Sequence, residues 1–175
     1  MTFFLVRHGR PLIDPATPAA SWELDPAGFD DVWALRERLP QDDAEWFTSP
    51  EPKAVATCQL LTEGDVGILD GLREQERGAV WVEDLEATVR RAFADPDAPA
   101  HPGWEPLAAT RERLLAAVRP IRHAHAGTDV VLVGHGTAWT LLAAELTGSA
   151  PDLDRWARLG MPDVITLPEP LRSLQ

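Results

Sequence analysis

The chain has 175 residues, 45% of them hydrophobic and 25% charged, with a net charge of −12. This is the make-up of an ordinary globular protein, and the length gives no reason to expect more than a single domain over 1–175. The charge argues against nucleic acid and anionic membranes as partners, because both are bound through clustered Lys and Arg, and no stretch approaches the roughly 18 apolar residues of a membrane span.

The same field opposes a small anion, so an anion site requires local donors strong enough to overcome it. Cys58 stands alone, which excludes an internal disulfide. The opening MTFFLVRHG lacks the basic segment and cleavage site of a secretory signal, so a cytoplasmic location is the default expectation.

Phe3 to Val6 form a short apolar run ended by Arg7-His8-Gly9, which predicts a buried first strand. After a proline-rich loop, Asp25-Pro26 predicts a helix start, with Asp25 as cap and Val32, Leu35 and Leu39 on the apolar face. Trp46 to Thr48 read as a second strand ending at Ser49-Pro50, and Pro52 leads a helix through Ala54, Cys58 and Leu61. Val66 to Leu69 make a weak third strand, Glu83 to Ala94 a helix, and Asp95 to Gly103 a loop with three prolines. Leu107 to His125 have one-faced helical spacing, with Pro120 expected to bend or split the helix. Val130 to Val133 give the clearest strand, Thr137 to Leu146 the helix after it, and Val164 to Leu167 a last strand.

Strands alternating with helices predict an α/β fold, a mostly parallel central sheet with helices on both faces. Ligands in such folds bind beyond the carboxyl ends of the strands. Arg7-His8, Ser49-Pro50 and Gly134-His135-Gly136 all fall at such ends, so distant segments are expected to meet at one rim.

Leu5-Val6-Arg7-His8-Gly9 resembles the opening signature of the histidine phosphatase superfamily, the phosphoglycerate mutase-like family. Val131-Leu132-Val133-Gly134-His135-Gly136 resembles the segment bearing that family's second histidine. Leu24-Asp25-Pro26-Ala27-Gly28 is similar to the family's opening of its first helix, and Gly103-Trp104-Glu105 to its Gly-x-Glu turn, so the resemblance spans nearly the whole chain. It implies that His8 attacks phosphorus and forms a transient phosphohistidine, hydrolysed by water. It also places Lys53, in Ser49-Pro50-Glu51-Pro52-Lys53-Ala54, where the family carries a second arginine. Leu72-Arg73-Glu74-Gln75-Glu76-Arg77-Gly78 is similar to the Leu-x-Glu segment that carries the proton donor.

The chemistry of these residue types agrees with those roles. Neutral imidazole keeps one nitrogen as a nucleophile, as His8 requires. The Arg7 fork matches phosphate oxygens, and His135, if held protonated by the phosphate, adds a donor. Gly9 is expected to let the backbone approach the ligand closely. Lys53 keeps the charge of an arginine but offers only a point contact, and Glu51 nearby could tie up its ammonium. A leaving alcohol needs an acid, for which Glu74 is the first choice and Glu76 the fallback; packing near phosphate would raise its pKa. His101, His123 and His125 have no metal-ligand spacing, so no metal and no cofactor are expected. Trp22, Trp81 or Trp104 could wall a substrate pocket, and Cys58 reads as core.

The expected function is a metal-independent phosphomonoester hydrolase of the histidine acid phosphatase type, acting on a small phosphorylated substrate. The shortness of the chain favours hydrolase over mutase. The alternative is a non-catalytic or weakly active member of the fold that binds phosphate or a partner, for which Lys53 is the motive.

Overall fold

Alternation along each strand decides which layer a residue serves. In β1 (Thr2–Arg7), Phe3 and Leu5 enter one apolar core, while Val6 enters another with Phe4 packed against it. In β4 (Asp129–Gly134), Val130 and Leu132 join the first core, and Val131 and Val133 the second. A strand with a core on both sides has to be apolar throughout, which explains the continuous Val and Leu run. The computed structural model describes residues 1–174.

These strands lie in a five-stranded sheet with β2 (Ala44–Thr48), β3 (Val66–Ile68) and β5 (Asp163–Pro168), in the order β3-β2-β4-β1-β5. The β1–β4, β2–β4 and β2–β3 pairs are parallel, and β5 runs antiparallel to β1 at one edge. The sheet is thus mixed, but mostly parallel. On one face, α4 (Leu107–Ala124) and α5 (Gly136–Thr147) bury Leu114, Leu115, Val118, Leu142 and Leu146. On the other, α1 (Phe29–Leu35) and α2 (Pro52–Leu61) bury Val32, Leu35, Cys58 and Leu61. Each fully buried aliphatic side chain stabilises the fold by roughly 1.5–3 kcal/mol relative to exposure. Among the described residues no helix is long and apolar enough to cross a membrane.

Several expectations change in detail. Asp25 does cap, accepting from the Ala27 N–H at 2.9 Å, but it heads a 3-10 turn over Pro26–Gly28, and α1 begins only at Phe29. Pro120 neither splits nor ends α4. Its missing N–H would have bonded the carbonyl of Ala116, an exposed residue, and a carbonyl on the wet side of a helix is satisfied by water. The spacing of Glu83 to Ala94 becomes α3 (Leu85–Ala94), started by the Asp84 side chain on the Ala87 N–H. A further short helix, α6 (Leu153–Arg158), is capped by Asp152 and has no buried residue, so it lacked the apolar periodicity that announces longer helices.

The sheet's hydrogen bonding continues past the strand ends. The His8 N–H donates to the Gly134 carbonyl at 2.9 Å, and the Ser49 N–H to the Val133 carbonyl at 2.9 Å. The loops leaving β1, β2 and β4 therefore start in fixed register along one rim. The Trp139 indole N–H on α5 donates to the Val6 carbonyl at 2.7 Å, locking that helix start to β1. A Cβ at Gly134 would lie 2.5 Å from the Trp139 ring, so only glycine permits this closure.

Candidate active site

His8 leaves β1 almost fully buried, its ring Nδ1 2.6 Å from the Gly9 carbonyl. A carbonyl oxygen can only accept, so Nδ1 carries the proton and Nε2 keeps the lone pair. Burial, then the neighbouring His135 and Lys53, holds the His8 pKa well below 6.5, so the ring is neutral near pH 7. Gly9 has a packing role. A Cβ there would meet Val32 at 2.7 Å and Leu24 at 2.8 Å, and its N–H donates to the Thr57 hydroxyl at 2.9 Å.

His135 stands just before α5, but its side chain does not cap that helix. Its Nε2 lies 2.8 Å from Ser49 Oγ and 3.3 Å from Glu51 Oε1, and its ring centroid is 5.3 Å from that of His8. Burial lowers its pKa to about 3 despite the pull of Glu74, so a protonated His135 requires a bound anion.

Lys53 is not a solvated helix-start lysine. It is buried, and its Nζ donates to Glu51 Oε2 at 2.5 Å and to the Ala19 carbonyl at 2.6 Å. Glu51 is equally buried between Lys53 and His135, and burial raises its pKa against the opposing pull of Lys53. Arg7 donates through Nη1 to the Leu159 carbonyl at 2.6 Å, while its buried Nε has no partner.

Glu74 reaches the N-terminus of α5. Its carboxylate accepts from the N–H groups of Thr137 at 3.1 Å and Ala138 at 3.0 Å, and from Gln75 at 2.9 Å. Burial alone would raise its pKa, but Arg77, His135 and the backbone donors outweigh it and lower the value to about 2. The expected upward shift is therefore absent from the free protein, because the carboxylate faces cations and backbone dipoles. Glu76 is exposed, and its backbone N–H is held by Glu105; both candidates border the same cavity, but only Glu74 is hydrogen-bonded to the start of α5. Glu105 also takes Arg113 at 2.5 Å, and Arg113 donates to the Glu74 carbonyl at 2.6 Å, which fixes the loop behind the site.

Arg77 is a residue to which the sequence motifs assign no role. It lies 3.9 Å from Glu74, donates to the Thr137 hydroxyl at 2.7 Å, and spreads its guanidinium 4.7 Å over the Trp104 ring. Its buried Nε is also unpartnered. The available signal was its place three residues after Glu74 in the same segment.

Arg7, His8, Lys53, Glu74, Arg77 and His135 all line one cavity of about 500 Å³, as do Trp22, Trp81 and Trp104. Cys58 lies in the core, where burial raises its thiol pKa to about 12. His125 instead pairs with Glu45 at 3.4 Å and stacks edge-on to Phe47, and His101 bonds the Pro102 carbonyl.

Comparison with known proteins agrees with this geometry. The chain is 28% identical to a 2,3-bisphosphoglycerate-dependent phosphoglycerate mutase of Brucella anthropi, covering 95% of this chain and 92% of the relative. It is 28% identical to an uncharacterized phosphatase, PhoE, of Bacillus subtilis, covering 85% and 79% of the two chains. A phosphoserine phosphatase mutant from Entamoeba histolytica, solved in complex with phosphoserine, superposes with a TM-score of 0.74 at 17% identity, covering 94% of this chain and 89% of that one. At that identity the likeness speaks for the fold. The family model for the histidine phosphatase superfamily (branch 1) matches residues 3–166, and the chain belongs to that superfamily.

Proposed function

We propose that the chain is a metal-independent phosphomonoester hydrolase that works through a phosphohistidine on His8. The observation that carries this reading is the Nδ1–Gly9 hydrogen bond, which leaves Nε2 as an unprotonated nucleophile in a cavity shared with Arg7, Lys53 and Arg77. In the first step the Nε2 lone pair forms a bond to phosphorus while the ester P–O bond breaks, and the leaving alcohol oxygen takes a proton from Glu74. In the second step water attacks the phosphohistidine, Glu74 takes the water proton, and the N–P bond breaks to return neutral His8 and release phosphate. Arg7, Lys53, Arg77 and a His135 protonated by the bound anion neutralise the charge of the transferring group.

Glu74 is ionised in the free protein, so the scheme needs binding to protonate it. An incoming phosphate that engages Arg77 weakens the chief attraction holding the proton off, and burial and like-charge repulsion then raise the pKa. Chain length does not separate hydrolase from mutase, since the mutase relative is matched over 92% of its own length.

A second reading, a phosphate-binding or weakly active member of the superfamily, is favoured by Glu51. Its buried carboxylate occupies Lys53 and approaches His135, partly cancelling the charge that would hold phosphate. One experiment separates the two. Phosphate release from a panel of phosphomonoesters, with an acid-sensitive phosphoryl adduct on His8 detected by mass spectrometry, is expected for the protein and absent from His8→Ala. Turnover that survives His8→Ala would dismiss the nucleophile, and binding without adduct or turnover would establish the second reading.

A further inference from the structure

Of the eight large apolar side chains that lie exposed among the described residues, Leu12, Trp33 and Ile68 stand apart, and the other five gather in one place. Ile13, Val80, Trp81, Leu85 and Met161 are each between 39% and 58% exposed, and all of them line the cavity that holds His8. Trp22 and Trp81, from two different loops, bring their rings to 6.4 Å at a tilt of 39° and form one aromatic wall of it. Exposed apolar surface gathered at the mouth of a polar site marks a place where an apolar ligand group is removed from water.

The charges point the same way. Once a phosphate takes Arg7, Lys53 and Arg77, Arg73 is the cation left among the described lining residues, and it is already paired with Asp70 at 3.0 Å. Glu76 and Glu83 line the same cavity. A substrate with a second anionic group, a carboxylate or another phosphate, would therefore meet carboxylates and a single cation already shared with Asp70. An uncharged apolar or aromatic group meets tryptophan and aliphatic carbon instead.

We propose that the site selects phosphomonoesters of aromatic or other apolar alcohols, held by the Trp22–Trp81 wall, over esters carrying a second negative charge. This rests on the hydrolase reading for turnover, but the ligand class can be tested apart from it. Phosphonates keep the charged head and have no ester bond to break, so calorimetric titration with 2-phenylethylphosphonate and ethylphosphonate reads recognition alone. Burial of the phenyl ring is expected to tighten binding by about tenfold or more. Trp81→Ala and Trp22→Ala are each expected to shrink that ratio severalfold. Equal affinities, absence of binding by both, or a ratio untouched by both variants would overturn the proposal.

In parallel, 2-phenylethyl phosphate and 3-phosphoglycerate, both esters of alkyl alcohols, are offered as substrates. A higher kcat/KM for the phenylethyl ester is expected, and a preference for the phosphoglycerate would overturn the proposal. Phosphonate discrimination without hydrolysis of any ester would sink the hydrolase reading and keep the ligand class; hydrolysis without discrimination would do the reverse.

Discussion

In the free protein the Glu74 carboxylate accepts three backbone N–H groups and faces Arg77, yet an alkoxide cannot leave phosphorus readily without a proton. If Glu74 supplies that proton, its removal should matter in proportion to how much the leaving group needs it. Glu74→Gln keeps much of the hydrogen bonding and is expected to slow an alkyl phosphate by about 10²–10⁴-fold. It should slow p-nitrophenyl phosphate far less, because nitrophenolate leaves unprotonated. Equal losses on both esters, measured as kcat, would take Glu74 out of proton transfer. The positions of His8, Arg7, His135 and Glu74 were legible from their motifs. The state of Glu74 was not, since it depends on α5 donors some sixty residues away and on Arg77, neither of which its own segment reveals.

At the scale of elements, the strands and the longer helices were legible because both faces of β1 and β4 are buried and α4 has a single apolar face. What escaped was set by contacts rather than by periodicity. The small helix α6 has no fully buried residue, the tolerance of Pro120 depends on which side of α4 meets water, and the antiparallel direction of β5 has no mark in its own residues. Gly9 is the sharpest case, because its side toward Val32 and Leu24 leaves no room for a methyl group. Gly9→Ala is expected to cost about 1–3 kcal/mol by overpacking, and to disturb the backbone that fixes His8. A urea midpoint equal to that of the natural protein would show that Val32 and Leu24 give way.

For the whole molecule, acid stability should be set from within the site. A histidine whose folded pKa is lowered binds its proton in the unfolded state first, so stability is full above pH 6.5 and is lost as pH falls toward the folded value. For His135 that window runs from 6.5 to about 3, and His8 is shifted in the same direction. Glu74 adds a further loss as pH falls from 4.5 to about 2, because its depressed pKa favours the folded state only while it is ionised. Urea unfolding at a series of pH values is therefore expected to show stability falling from pH 6.5 downward. His135→Asn should reduce the slope by about 1.4 kcal/mol per pH unit within its window. An unchanged slope in that variant would place the acid sensitivity elsewhere.

The carbonyl that holds His8 also has a regiochemical consequence. With the π nitrogen committed to Gly9 at 2.6 Å, a phosphoryl group can be accepted only by the τ nitrogen, giving 3-phosphohistidine rather than its 1-phospho isomer. Antibodies selective for the two isomers should recognise the trapped adduct in that sense alone, and a 1-phospho signal would be incompatible with the orientation of the ring. Because the restraint is a main-chain oxygen, the choice of isomer is built into the path of the backbone.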